Sequence, residues 1–225
     1  MLVAVSLFDV IGPVMVGPSS SHTAGAVRLG NVARRLCYTQ PRRVEFYLHG
    51  SFARTYQGHG TGKALVGGVL GFSTADERIR DSYEIAAQNG MEFAFFQEDL
   101  GDVHPNTVRI VAYLPDGSSC EMVGSSTGGG KILVTRVNGM AVKFTGQYPT
   151  LITRHQDRPG IIASISGLLA QHSINIAFLE VFRSARGSQA SMVMETDQPV
   201  SKEIIEKLSN IEGVHEVLLI DCSDI

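Results

Sequence analysis

Apolar and polar positions follow two rhythms along the chain, and the switches between them outline the fold. From Thr23 to Leu36 the apolar Leu29, Val32, Ala33 and Leu36 recur at helical spacing, with Arg28, Asn31, Arg34 and Arg35 on the other side, which predicts an amphipathic helix. The preceding "GPSSSHTAG" (17–25) places serines where the first free amides of that helix need acceptors, so the serine row suits an N-cap. "RRVEFYLHG" sets Val44, Phe46 and Leu48 against Glu45 and Tyr47, a half-buried strand ending at His49 and Gly50. "KALVGGVLG" reads as a short helix loosened by glycine, and Ile79 to Ala87 as another. "MEFAFFQE", "TVRIVAYL" and "SCEMVG" read as strands, the last two joined by the turn "PDGS". "KILVTRV" and "MAVKFTG" flank Asn138-Gly139, where both residues tolerate positive φ, so these strands should form a hairpin. The opening "MLVAVSLFDVIG" is apolar without a basic leader or a small-residue cleavage site, and reads as a first strand or entry segment rather than a signal sequence.

The organisation changes around residue 146. From Tyr148 onward the order is strand ("PTLITRHQ"), turn ("DRPG"), helix (Ile161, Ile165, Leu168 and Leu169 on one face), strand ("NIAFLEVF"), strand ("ASMVMETD"), helix ("SKEIIEKLSN") and strand ("VHEVLLID"). This βαββαβ order is the ferredoxin-like unit. The expectation is therefore an α+β chain of two domains, 1–146 and 147–225.

Composition narrows the function classes. Of 225 residues, 44% are hydrophobic and 18% charged, with a formal charge of −3, as expected of a globular core with a mixed surface. Arginines and lysines are scattered without a basic run, which argues against nucleic acid as a partner. No stretch approaches the roughly 18 uninterrupted apolar residues of a membrane helix, so the chain reads as soluble, cytoplasmic and not membrane-bound. The three cysteines, Cys37, Cys120 and Cys222, are widely spaced with no CxxC pairing, which favours free thiols over a disulfide framework or a zinc or iron–sulfur site built by this chain alone.

The histidines point to chemistry. Of seven, His22, His49, His59, His104 and His155 lie in or beside loops rich in Gly, Pro, Ser or Thr, where sites usually reside. Three loops of the first domain stand out: "GPSSSHTAG", "HGSFARTYQGHGTGKAL" (49–65) and "HPNT" (104–107). Each combines imidazole with hydroxyl or amide groups, a set that suits a small polar substrate. Hydroxyls and free amides at a helix start bind a carboxylate or phosphate, and an adjacent histidine can move protons near neutral pH. "SSTGGGKI" (125–132) does not meet the Walker pattern, because Lys131 is followed by Ile132.

These motifs, in this order, resemble the beta subunit of bacterial iron–sulfur-dependent L-serine dehydratases: "SLFDVIGPVMVGPSSSHTAGAVRLGNVARRL", "GSFARTYQGHGTGKALVGG", "HPNT" and "STGGGKI". The C-terminal unit is similar to an ACT domain. The first domain is also similar to the allosteric substrate-binding domain of some phosphoglycerate dehydrogenases, so the fold alone does not establish catalysis. The resemblance implies an L-serine ammonia-lyase of two subunits that converts L-serine to pyruvate and ammonia. It further implies that an alpha subunit supplies the cysteines of a [4Fe–4S] cluster, which this chain does not ligate.

On this resemblance His22 and His59 line the catalytic cleft, with His59 favoured for proton transfer. Ser19, Ser20, Ser21 and Thr23 bind the substrate carboxylate, and Thr61, His104 and Asn106 are further candidates for polar lining. Many family members carry an acidic residue after the threonine of "GHGT", where this chain has Gly62. In the ACT domain the matching effector positions are His155, Asp157 and Asn175, with backbone around Gly160 to Ile162 and dimerisation through that domain. The alternative is a non-catalytic amino-acid sensor in which both domains bind amino acids and dimerise. A phosphate-dependent enzyme using the glycine-rich loops is a third reading.

Overall fold

The amphipathic stretch after the serine row forms helix α1 (Gly25–Leu36), and a π-helical turn over Ser20–Ala24 leads into it. The structure is a computed structural model that describes residues 14–183 and 185–221. The first-strand reading of "MLVAVSLFDVIG" and the thiol of Cys222 fall outside the described residues. Contacts divide the chain into two units, the first ending at Val134 and the second beginning at Thr135.

In the first unit β1 (Arg43–Leu48) leads to two short helices, α2 (Gly50–Thr55) and α3 (Thr61–Val69). A 3₁₀ turn (Glu77–Asp81) and α4 (Ser82–Gln88) follow, so the stretch expected as one helix from Ile79 to Ala87 is split. β2 (Glu92–Gln97) returns parallel to β1, while β3 (Thr107–Tyr113) and β4 (Ser119–Gly128) add antiparallel strands. β5 (Lys131–Val137) completes the order β2-β1-β3-β4-β5 and crosses into the second unit, where it turns through Asn138 and Gly139, both at positive φ, into β6 (Met140–Phe144). The glycine row 128–130 thus joins two strands, and no helix follows it as a phosphate loop requires.

Helix α1 buries Val27, Leu29 and Val32, and the strands bury Phe46, Leu48, Ile110 and Met122. α1 and α3 approach closely through paired glycines: a Cβ on either Gly30 or Gly68 would come within 2.9 Å of the other's Cα. Two residues assigned to polar faces are buried instead. Asn31 donates from Nδ2 to the carbonyls of Val27 at 3.1 Å and Phe72 at 2.8 Å, so its amide is satisfied inside. Glu45 is covered because its carboxylate accepts from the hydroxyls of Tyr47 and Tyr113 and from Arg43.

In the second unit β7 (Thr150–Gln156), α5 (Ile161–Gln171), β8 (Ile176–Arg183), β9 (Gln189–Thr196), α6 (Lys202–Ser209) and β10 (Val214–Ile220) follow the βαββαβ order. The strands order β10-β7-β9-β8, with β7 antiparallel to both neighbours. Leu151, Met192 and Met194 meet Ile161, Ile165, Leu169, Ile204 and Leu208 in the core between sheet and helices. The chain is α+β in both units. No helix among the described residues is long and apolar enough to cross a membrane.

Candidate functional site

The serine row closes on its own histidine. Ser19 is extended at φ −144° and caps the π-turn, its Oγ accepting from the His22 amide at 3.3 Å. The His22 ring then lies between hydroxyls: Nδ1 is 3.1 Å from Ser21 Oγ and 3.4 Å from Ser19 Oγ, and Nε2 is 3.1 Å from Ser51 Oγ. Ser51 sits in α2, directly after the β1 strand end, and Phe52 beside it meets the His22 ring edge-on at 5.5 Å. Burial, and then the neighbouring His59, hold the His22 imidazole below its ordinary pKa, favouring the neutral ring.

His59 stands in the loop before α3, its ring 5.2 Å from that of His22 with the planes at right angles. No hydrogen bond to its ring occurs among the described residues, and it borders an open cleft of about 360 Å³ together with Gly17, Thr23, Gln57, Lys63 and Arg80. Gly60, at φ 72°, supplies the left-handed residue that turns this loop into α3. Two buried hydroxyls lack partners here: Thr23 Oγ1, which faces the cleft-lining Gly17, and Thr61 Oγ1 at the first position of α3. Such groups are rarely left unpaired, and they mark where an acceptor or donor belongs.

The "HPNT" loop is tied to the same region through its backbone. The Ser51 amide donates to the Pro105 carbonyl at 2.7 Å, and the Asn106 carbonyl accepts from the Ser126 amide at 2.9 Å. Asn106 is buried, whereas His104 is exposed and its Nδ1 accepts from the Asn106 amide within its own turn. Ser20 contributes its carbonyl to the Gly25 amide, and its side chain makes no hydrogen bond among the described residues. His49 is satisfied structurally, its Nδ1 accepting from the Leu100 amide at 3.1 Å. The structure therefore brings Ser19, Ser21, His22, Thr23 and His59 together and leaves His104 bonded within its own turn.

Sequence reasoning passed over Ser51 and Ser126. Ser51 lies inside the quoted "HGSFARTYQGHG" loop, but only the fold shows that it reaches His22. Ser126 packs against Gly25 so tightly that a Cβ there would collide with its side chain, and its hydroxyl is buried without a partner. Gly62 also has a local cause: a Cβ would run into the Tyr83 hydroxyl and stand 3.2 Å from Phe95 Cζ. An acidic side chain has no room there.

In the second unit, His155 is buried on β7 with Nδ1 3.3 Å from Thr153 Oγ1, and desolvation lowers its pKa. Asp157 accepts from the Gly187 amide at 3.0 Å and stands 3.3 Å from Arg183 Nη1. Asn175 donates to Asp197 at 2.6 Å, beyond the Thr196 end of β9, whereas His155 and Asp157 lie at its Gln189 end. Within one chain these positions occupy opposite ends of the sheet.

Among the described residues no group of three or more His, Cys, Asp or Glu could hold a metal ion. Cys37 and Cys120 are buried next to each other, and their mutual contact and burial push the Cys37 thiol up.

A profile of serine dehydratase beta chains matches residues 6–89, and an ACT domain profile matches residues 150–213. The chain is 45% identical over 212 residues to the probable L-serine dehydratase beta chain of Bacillus subtilis (strain 168), covering 94% of this chain and 96% of that one. It is 42% identical over 208 residues to the L-serine dehydratase beta chain of Peptoniphilus asaccharolyticus, covering 92% and 94%. A D-3-phosphoglycerate dehydrogenase of Methanocaldococcus jannaschii is 27% identical over 199 residues, which span 87% of this chain and 37% of that enzyme. With identity this high over nearly the full length of both beta chains, the chain belongs to the family of L-serine dehydratase beta chains.

Proposed function

We propose that this chain is the beta subunit of an L-serine ammonia-lyase, which converts L-serine to pyruvate and ammonia together with an alpha subunit. The observation that carries the catalytic part is the contact between the His22 and His59 rings at a cleft whose wall holds an unpaired threonine hydroxyl.

Eliminating water from serine requires a base for the Cα proton and a proton for the departing hydroxyl. His59 suits this exchange because its ring is exposed at the cleft and carries no hydrogen bond among the described residues. His22, kept neutral by burial and held at both ring nitrogens by serine hydroxyls, stands 5.2 Å from the His59 ring and fixes the geometry around it. The substrate carboxylate belongs at the start of the π-turn, where the amides of Ser20 and Ser21 precede the first bond of the turn, Thr23 N to Ser19 O. Ser19, Ser21 and Thr23 supply hydroxyls around that position, and the Thr23 hydroxyl would gain the partner it lacks. Loss of the proton and hydroxide gives 2-aminoacrylate and water. Tautomerisation and hydrolysis of the imine then release ammonia and pyruvate.

A [4Fe–4S] cluster, on this reading held by the alpha subunit, would supply Lewis acidity for loss of the hydroxyl. Co-expression with a candidate alpha chain tests the assignment. A brown complex that forms pyruvate from L-serine supports it, and a colourless homodimer that binds serine without turnover would favour a sensor instead.

A further inference from the structure

A cavity of about 630 Å³ opens within the second unit, between the β6 hairpin and the sheet face turned away from α5 and α6. The strand register places it there. Leu151, Met192 and Met194 point into the helix-covered core, so Arg154, Ser191 and Phe182, which alternate with them, face the hairpin. Ser191 fixes that wall by donating from Oγ to the Ala141 carbonyl at 2.6 Å. The volume is that of a small-molecule site.

On the hairpin side the lining is apolar at Met140 and Phe182 and cationic at Arg154. Arg154 has donors to spare. Its Nη2 stands 3.0 Å from Glu216 Oε2, but its Nε is buried with no acceptor. A buried donor left unpaired is costly even where the rest of the side chain meets solvent, and a carboxylate is the group that relieves it best. Arg183 belongs by register to the other face and is already paired with Asp157 at 3.3 Å, so Arg154 is the cation left for a ligand. Among the described lining residues there is no carboxylate, and the adjacent Glu216 is already paired with Arg154, so an ammonium group would find no free counter-charge.

We propose that this cavity binds a small organic acid with an apolar tail and no ammonium group, its carboxylate on Arg154 and its tail against Met140 and Phe182. The site is separate from the His22–His59 cleft and stands whether or not the chain takes part in serine deamination.

Calorimetry on the full chain tests it with three probes that share one tail: 4-methylpentanoate, the neutral 4-methylpentanamide, and L-leucine. The acid should bind saturably, and both the amide and leucine should bind at least about tenfold more weakly, the loss expected for one charge-assisted hydrogen bond. Arg154→Met should weaken the acid by a similar factor. No saturable heat from the acid at millimolar concentration, or an affinity untouched by Arg154→Met, would overturn the proposal. Leucine binding as tightly as the acid would overturn the ligand class. Should Arg154→Met lose its native circular dichroism, Phe182→Ala removes the wall for the tail instead, and an unchanged affinity there overturns the proposal equally.

Discussion

The rings of His22 and His59 meet at right angles, 5.2 Å apart, although they come from different loops. The meeting is imposed from below. α1 carries the turn that holds His22, α3 follows the loop that holds His59, and the two helices touch through Gly30 and Gly68 without any side chain between them.

Gly68→Ala should therefore destabilise the chain, because its Cβ would press on the Val27 carbonyl and the Gly30 Cα. Overpacking costs about 1–3 kcal/mol, which outweighs the ~1 kcal/mol that alanine gains over glycine in a helix. Urea unfolding measures the difference, and a variant as stable as the parent would show that the helices can part freely.

Ser51 holds the His22 ring at its outer nitrogen. Ser51→Ala removes the hydroxyl 3.1 Å from His22 Nε2 and should lower kcat of the assembled enzyme by about two- to tenfold, the worth of one net hydrogen bond. Ser51→Thr should restore most of it. A loss that threonine fails to rescue would mark a packing defect instead.

His155 ties stability to pH. Desolvation lowers its pKa from the ordinary 6.5, so the unfolded chain takes up a proton that the folded chain resists. The sign follows: this contribution is fully present above pH 6.5 and is lost as pH falls below it toward the depressed folded value. Thermal unfolding between about pH 7 and 5 should show a falling midpoint, with a shallower slope in His155→Gln. Equal slopes would mean that His155 is not held neutral.

Gly62 and Tyr83 should behave as a pair. Gly62→Ala sets a methyl against the Tyr83 hydroxyl and should cost about 1–3 kcal/mol. Tyr83→Phe removes that hydroxyl and should recover part of the loss in the double variant, a coupling that a double-mutant cycle measures. Strict additivity would contradict the contact.

The periodic elements were legible because burial writes itself into spacing. α1 and the βαββαβ order of the second unit follow from apolar recurrence, and the β5–β6 hairpin from Asn138-Gly139. Asn31 and Glu45 were misassigned because residue type suggests water, while their burial depends on partners distant in sequence, Phe72 and Tyr113. The serine row and its histidine could be found from local composition, since Ser19 and Ser21 bond to His22 within one turn. Ser51 could not, because nothing in its own neighbourhood records that the start of α2 lies against the π-turn. The extension of β4 to Gly128 was hidden by its serines and glycines, whose burial comes from α1 packing over Gly124 and Ser126.

Pyruvate formation by the complex of this chain with a cluster-bearing alpha chain tests the roles of the two histidines most directly. His59→Ala and His22→Ala, each in a complex of normal assembly and cluster absorbance, should lose about a hundredfold or more in turnover, as expected when a proton-transfer group or its close neighbour is removed. Near-normal rates for both variants would contradict the assignment of catalysis to this histidine pair.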